Sequence, residues 1–304
     1  MGRRHKRGRP VNGVVLLDKS VGQTSNQALQ SVKRLFDARK AGHTGSLDPL
    51  ASGMLPICLG EATKISAFLL DADKVYRVRC KLGETSTTGD AEGEMLTSVD
   101  VPAFSDSDIE RVLGAFRGEI EQTPPMYSAL HHQGRRLYEL AREGIEVERP
   151  PRRVDIKRLQ LLDRDELTLH LEVHCSKGTY IRSLVGDIGG ALGCGAHVTA
   201  LRRLGVEPYL GREMLTLDAL EQRLAQGRDC LDEVIQGADS AIERWPSIRL
   251  DEKSAAFVRH GQPVFVPKAP QHGWVRLYQG DASFIGVGEI DDGGRVAPRR
   301  IFQY

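Results

Sequence analysis

The 304-residue chain is predicted to be an α+β protein made of two units. Three observations carry this. Strand-type alternation is strong over 74–82 and 167–175, where apolar residues recur at every second position. Helical spacing runs over 28–36 and 181–192, yet helices and strands do not take turns as in a doubly wound parallel sheet. Beyond Trp245-Pro246 the character changes, and three short strand-like runs are spaced by glycines.

Taken in order, Gly13–Leu17 (GVVLL) reads as a buried strand. Thr24-x-x-Gln27 has capping-box form and opens a helix with the stripe Ala28, Leu29, Val32, Leu35 and Phe36. Glycines and prolines break every period from 41 to 64, so this stretch reads as a long irregular loop. It holds too many apolar residues for a linker, and packed loops carry function. Tyr76, Val78, Cys80 and Leu82 mark the buried face of the next strand. A helix is expected over 108–116.

Paired prolines then bracket an excursion over about 124–152 that interleaves His131, His132, Arg135, Arg136 and Arg142 with Tyr127 and Tyr138. Such a mixture suits RNA contact; a plain surface helix with a charged face fits the composition as well. After the strand ending at Cys175, a turn leads into a helix with the stripe Ile181, Leu184, Val185, Ile188 and Leu192, closed by Gly193. The last unit is expected to hold a helix over 251–260 and strands over 274–279, 283–290 and 295–304. The expected organisation is therefore a basic, disordered tail over 1–10, a main domain over 11–246 and a small β-rich unit over 247–304. So small a unit is expected to lean on the first.

Composition excludes several classes. No stretch approaches the roughly 18 apolar residues of a membrane span, and no apolar run follows the basic start as a secretory signal requires. The five cysteines are an odd number without a close pair, against a disulfide framework or a zinc site. A reducing cytoplasm is the expected location. Neither a P-loop nor a G-x-G-x-x-G is present, so no nucleotide cofactor is expected. Net charge is +1, but Arg3, Arg4, Lys6, Arg7 and Arg9 crowd the start and leave the rest at −4. A concentrated basic tail attracts polyanions, nucleic acid foremost.

Asp48 stands alone among Gly, Ser, Thr and Pro, where an aspartate ordinarily serves as a turn or cap residue. Its company says more. GHTGSLDPLASGMLPICLGEATK, DKVYR, CSKGTYIRSL and LRRLG, with NGVVLLDK at the start and GEIDDGGRVAPRR near the end, occur in order over almost the whole chain. Together they resemble the bacterial tRNA pseudouridine synthases that act on the T-loop uridine, uridine 55 in tRNA numbering.

The resemblance implies a pseudouridine-synthase-type catalytic domain on a mixed, largely antiparallel sheet flanked by helices. A PUA-like RNA-binding domain would follow it. It also implies an isomerase that flips the uridine out of the RNA, breaks its N-glycosidic bond and rejoins uracil through C5, without cofactor or metal. The partner would be the tRNA T-arm, and the protein a monomer. Cleavage leaves positive character on the ribose, which a fixed carboxylate stabilises or traps. The motif implies that Asp48 is this group, with attack on the sugar, addition to the uracil ring and removal of a sugar proton all left open by the sequence, and that Arg182 pairs with it in bidentate fashion to keep it ionised. It likewise implies that Tyr76 stacks on the flipped uracil and handles the C5 proton. Tyr180 would wall the site, His43 fill the gap left by the base, and Leu201 line the pocket. Two further readings remain: an RNA-binding or tRNA-folding module, and a pseudouridine synthase for another RNA. A pure binder has no need of Asp48, Tyr76 and Arg182 together.

Overall fold

The computed structural model describes residues 8–281 and 283–303. Strand β1 (Gly13–Lys19) leads into α1 (Ser25–Leu35), then β2 (Ala41–His43) and β3 (Ala51–Leu59). A 3-10 turn over Gly60–Ile65 precedes α2 (Ser66–Leu70), β4 (Lys74–Leu82), β5 (Glu84–Ser86) and β6 (Met95–Ser98). Next come α3 (Asp106–Ala115), β7 (Gly118–Gln122), the two-residue strands β8 (His131–His132) and β9 (Arg135–Arg136), and α4 (Leu137–Arg142). The main domain continues through β10 (Arg152–Arg164), β11 (Thr168–Cys175), α5 (Ile181–Leu192), β12 (Ala196–Val206), α6 (Leu217–Gln226) and α7 (Arg228–Asp232). The last unit contains β13 (Ser247–Leu250), α8 (Glu252–Arg259), β14 (Gly273–Gln279), β15 (Ser283–Ile290) and β16 (Val296–Ile301).

The main sheet has the order β1-β3-β12-β4-β11-β10-β7, with β2 paired to β3. Only β3 and β12 run parallel; every other pairing is antiparallel. The fold is thus α+β with a mixed, largely antiparallel sheet, as predicted. Ala28, Leu29 and Val32 of α1, Ile109 and Leu113 of α3, and the α5 stripe cover one face, where they meet Tyr76, Val78 and Leu171. The capping box of Thr24 and Gln27 forms as read, and Gly193 closes α5 in the left-handed conformation at φ +82°.

The 41–64 segment corrects the reading of a long loop. Nine of its residues form β3, one of the most buried strands of the sheet. Pro56 and Gly53 hid it, because a proline removes a ladder donor and glycine weakens a strand. The sheet tolerates both. Pro56 lies opposite Leu16, and Gly53, at φ +102°, lies where a Cβ would come within 2.2 Å of the Arg203 carbonyl. Only residues 44–50 remain as loop.

The second unit is a four-stranded sheet ordered β13-β14-β15-β16. It leans on the first through a shared apolar core in which Phe284, Val287 and Phe302 pack with Met54, Ile65, Leu69 and Tyr209. Phe68 meets Trp245 and Trp274 edge-on, with ring centroids 4.6 and 5.2 Å apart. At the other end, Arg9 departs from the tail reading: its guanidinium pairs with Asp232 and its backbone N–H bonds Asp37. Residues 1–7 of the expected tail lie outside the described residues.

Candidate active site

Residues 44–50 are tied down from several sides. Ser25, the first residue of α1, is buried; its hydroxyl accepts from the Leu47 N–H at 2.7 Å and donates to the Leu47 carbonyl at 3.0 Å. The Thr44 N–H reaches the Pro56 carbonyl, Gly22 N–H the Pro49 carbonyl, and Ala51 N–H that of Asp48. Gly45 takes φ +97°, a conformation that favours glycine. The loop is therefore held by backbone and by Ser25, and the Asp48 side chain is left free for other work. Ser25→Ala strands the Leu47 N–H, and an unmade buried hydrogen bond costs ~1–3 kcal/mol. The expected result is a lower melting temperature and a roughly tenfold slower reaction at unchanged RNA affinity, read by calorimetry and single-turnover kinetics.

The Asp48 side chain is 41% exposed, whereas that of Arg182 is only 6% exposed. Arg182 Nε lies 2.9 Å from Asp48 Oδ2 and 3.6 Å from Asp90 Oδ2. Its two terminal nitrogens are used elsewhere: Nη1 donates to the Thr88 carbonyl and Nη2 to the Tyr127 carbonyl, each at 2.7 Å. The expected bidentate pairing is therefore corrected. Asp48 is held through Nε, and the fork anchors the arginine to two backbone segments, one at the base of the 124–152 excursion.

Asp90, which the sequence reading did not single out, shares this site with Asp48. It is buried, and its Oδ1 accepts from Thr88 Oγ1 at 2.6 Å and from Glu92 N–H at 3.1 Å. Its only sequence signal is an ordinary one, an aspartate among turn residues. Two carboxylates thus share one guanidinium. Burial pushes the Asp48 carboxyl above its ordinary range; Arg182 opposes this, and the negative charge of Asp90 adds to it. A raised carboxyl loses its charge earlier on acidification, so the acid limb of the rate profile is expected above the ~3.9 of an ordinary aspartate. Asp90→Asn keeps both hydrogen-bond acceptances and removes a charge that raises Asp48. The limb is then expected at lower pH than in wild type, as measured by single-turnover rates across pH.

Tyr76 is buried on β4, on the predicted strand face. Burial raises its phenol pKa, while the positive charge of Arg203 on β12 pulls it down. Leu201, also buried on β12, pairs with Val78 on one side and Ala51 on the other. His43 ends β2, and its buried Nδ1 has no hydrogen-bond partner among the described residues. Burial and the Arg203 charge lower its pKa, which favours a neutral ring suited to stacking. Lys19, buried at the end of β1, donates to the Ser20 and Gln23 carbonyls; burial lowers its pKa to about 8 against the attraction of Asp48.

Tyr180 precedes α5 and is placed by Gln122, a second residue the sequence reading missed. The buried Gln122 amide accepts from Tyr180 N–H at 2.7 Å and donates to its carbonyl at 3.1 Å, as a neighbouring strand would. The Arg152 guanidinium lies 4.8 Å over the Tyr180 ring. In the excursion, His131, Arg135, Arg136 and Arg142 are exposed around a two-residue hairpin and a short helix.

One group among the described residues has metal-ligand spacing, with donor atoms of Asp73, His174 and Glu207 within 4.8 Å of one another. Lys157 pairs with Asp73 and Arg244 with Glu207, so cations of the chain already take both carboxylates. His174 also projects from the sheet face opposite to its strand neighbour Val173, the register partner of Tyr76.

Family models match nearly the whole chain. The N-terminal domain of the TruB family pseudouridylate synthases covers residues 33–181, the tRNA pseudouridylate synthase B C-terminal domain 182–243, and the pseudouridine synthase II TruB C-terminal model 246–302. The "tRNA pseudouridine synthase B" of Coxiella burnetii (strain RSA 331 / Henzerling II) is 54% identical over 296 residues, 97% of this chain and 96% of the relative. That of Aliivibrio fischeri (strain MJ11) is 53% identical over 306 residues, 98% of this chain and 96% of the relative.

Solved structures agree in fold. A Cbf5-Nop10-Gar1 complex superposes with TM-score 0.75 at 28% identity, covering 96% of this chain and 85% of its own. An H/ACA RNP bound to a substrate RNA containing 2'-deoxyuridine gives 0.74 at 25% identity, covering 100% and 92%. These matches run through the loop of Asp48, the strand of Tyr76 and the turn before Arg182, so the chain belongs to the TruB family of pseudouridylate synthases, which are isomerases.

Proposed function

We propose that this enzyme isomerises the T-loop uridine of tRNA, uridine 55 in tRNA numbering, to pseudouridine. The observation that carries the reading is the half-exposed Asp48 carboxylate, held by Arg182 on a tied loop beside Tyr76. Relatives matched over nearly their whole length are named as tRNA enzymes, and one structural neighbour holds a substrate RNA.

A uridine within a folded RNA must be extruded to be reached. His43 fills the gap it leaves, Tyr76 and Tyr180 sandwich the base, and Leu201 closes the pocket. The bond from C1′ to N1 breaks with its electron pair going to uracil. Asp48 meets the positive ribose, either by charge or by a covalent bond. Uracil turns, C5 bonds C1′, C5 loses its proton and N1 gains one, so atoms and charge balance. The exposed arginines and histidines of the excursion over 124–152 grip phosphates and position the RNA without reading sequence. The β-rich unit over 247–304 serves as a PUA-like RNA-binding domain. The same reading has the enzyme act as a monomer in a reducing cytoplasm, supported by five free cysteines. No helix among the described residues is long and apolar enough to cross a membrane.

Incubating the enzyme with an unmodified tRNA transcript and mapping pseudouridine tests the proposal. One new pseudouridine in the T-loop supports it; modification elsewhere, or in an unrelated RNA only, contradicts it. Residues 2–7 carry four cations, Arg3, Arg4, Lys6 and Arg7. Deleting them is expected to weaken tRNA binding and flatten its salt dependence, with the modified site unchanged. An unchanged salt slope would remove the tail from RNA contact.

A further inference from the structure

Arg203 is an unusual residue for the middle of a sheet. It is 1% exposed, and it pairs in register with Tyr76 on one side and Gly53 on the other. Directly paired residues share a sheet face, so the guanidinium and the phenol lie together. Arg203 Nε donates to the Met54 carbonyl at 2.6 Å and Nη2 to the Gly45 carbonyl at 3.1 Å, which ties β12 to β3 and to the loop of Asp48. Nη1 points to the same loop, 3.7 Å from where a Cβ on Gly45 would stand. No carboxylate among the described residues forms an ion pair with it. Among the described residues, Lys19 and Lys74, buried nearby, bond only carbonyl oxygens.

A buried cation without a counter-ion is costly. Bonding two carbonyls requires donors, not charge, so the charge itself needs a use. Tyr76 supplies one, because a phenol buried this fully holds its proton tightly, and Arg203 is the group that acts against this. We propose that Arg203 is a positioning residue for proton transfer, which holds the Tyr76 phenol and stabilises its phenolate while uracil is detached from the ribose. The proposal rests on the reading of Tyr76 as the group that handles the C5 proton. The phenol gives its proton to the departing N1 and becomes phenolate beside Arg203. After C5 has bonded C1′, the phenolate takes the C5 proton, the C–H electron pair restores the C5–C6 double bond, and Tyr76 is neutral again.

The test compares single-turnover rates on tRNA transcripts carrying ordinary or 5-deuterated uridine. Arg203→Gln keeps donors for a carbonyl and removes the charge. It is expected to bind tRNA as wild type does and to react at least ~100-fold more slowly, within the usual range for a lost acid–base step. Its deuterium isotope effect is expected to rise above the wild-type value as C5 proton removal becomes limiting. Arg203→Lys keeps a charge but loses the fork, and is expected to fall between the two in both rate and isotope effect. A slowed variant with the wild-type isotope effect, or a variant with the wild-type rate, overturns the proposal. If Arg203→Gln does not fold, Arg203→Lys decides by the same criterion. Tyr76→Phe separates the two levels. If it releases the C5 proton at the wild-type rate, the reading of Tyr76 fails whatever Arg203 does. If it is slow while the Arg203 variants are normal, only the role of Arg203 fails.

Discussion

Asp48→Asn is expected to lower isomerisation by several orders of magnitude while fold and tRNA affinity stay close to wild type. The loop does not depend on the carboxylate, since Ser25 fixes Leu47 and the Asp48 carbonyl receives the Ala51 N–H. Nor does the substitution strand Arg182, which keeps Asp90 and two carbonyl acceptors. What disappears is the anionic oxygen that meets the ribose, and loss of a covalent or charge-stabilising catalyst has effects of this size. Thermal melting and filter binding beside the activity assay separate the outcomes. Joint loss of stability, binding and activity would make Asp48 a structural turn residue.

Arg182→Lys is expected to reduce activity by about 10²–10³-fold, the usual cost of removing an oriented charge-stabilising donor. A single ammonium cannot reach Asp48, Asp90, the Thr88 carbonyl and the Tyr127 carbonyl together. The Tyr127 contact links the arginine to the base of the excursion, so tRNA binding is expected to weaken as well. A less well-placed cation opposes the raised Asp48 carboxyl less strongly. The acid limb of the rate profile is therefore expected to move to higher pH, opposite to the shift in Asp90→Asn. A pH series of single-turnover rates on both variants checks the pair. Movement in the same direction would contradict this charge arrangement.

The sequence made some elements plain and concealed others for identifiable reasons. β4 and β11 alternate cleanly because one face of each packs into the main apolar core while the other is polar. β10, thirteen residues near the sheet edge, escaped notice because much of it is exposed and its polar residues blur the period. β12 was hidden by Arg202 and Arg203, whose charges interrupt its apolar pattern, although Arg203 is among the most buried side chains of the protein. Within the site, Asp48, Tyr76 and Arg182 stand in long motifs, whereas Asp90, Gln122 and Ser25 do not. Their roles come from contacts 22 to 92 positions away along the chain, and no local pattern reveals such distances.

The most direct measurement is tritium release from a tRNA transcript labelled at C5 of uridine, with wild type and Asp48→Asn each in excess over RNA. The account predicts that wild type releases the tritium of one uridine per tRNA, and that Asp48→Asn releases none on that timescale although fully bound. Release by Asp48→Asn at a rate near wild type would contradict it, and the carboxylate would have to be sought elsewhere.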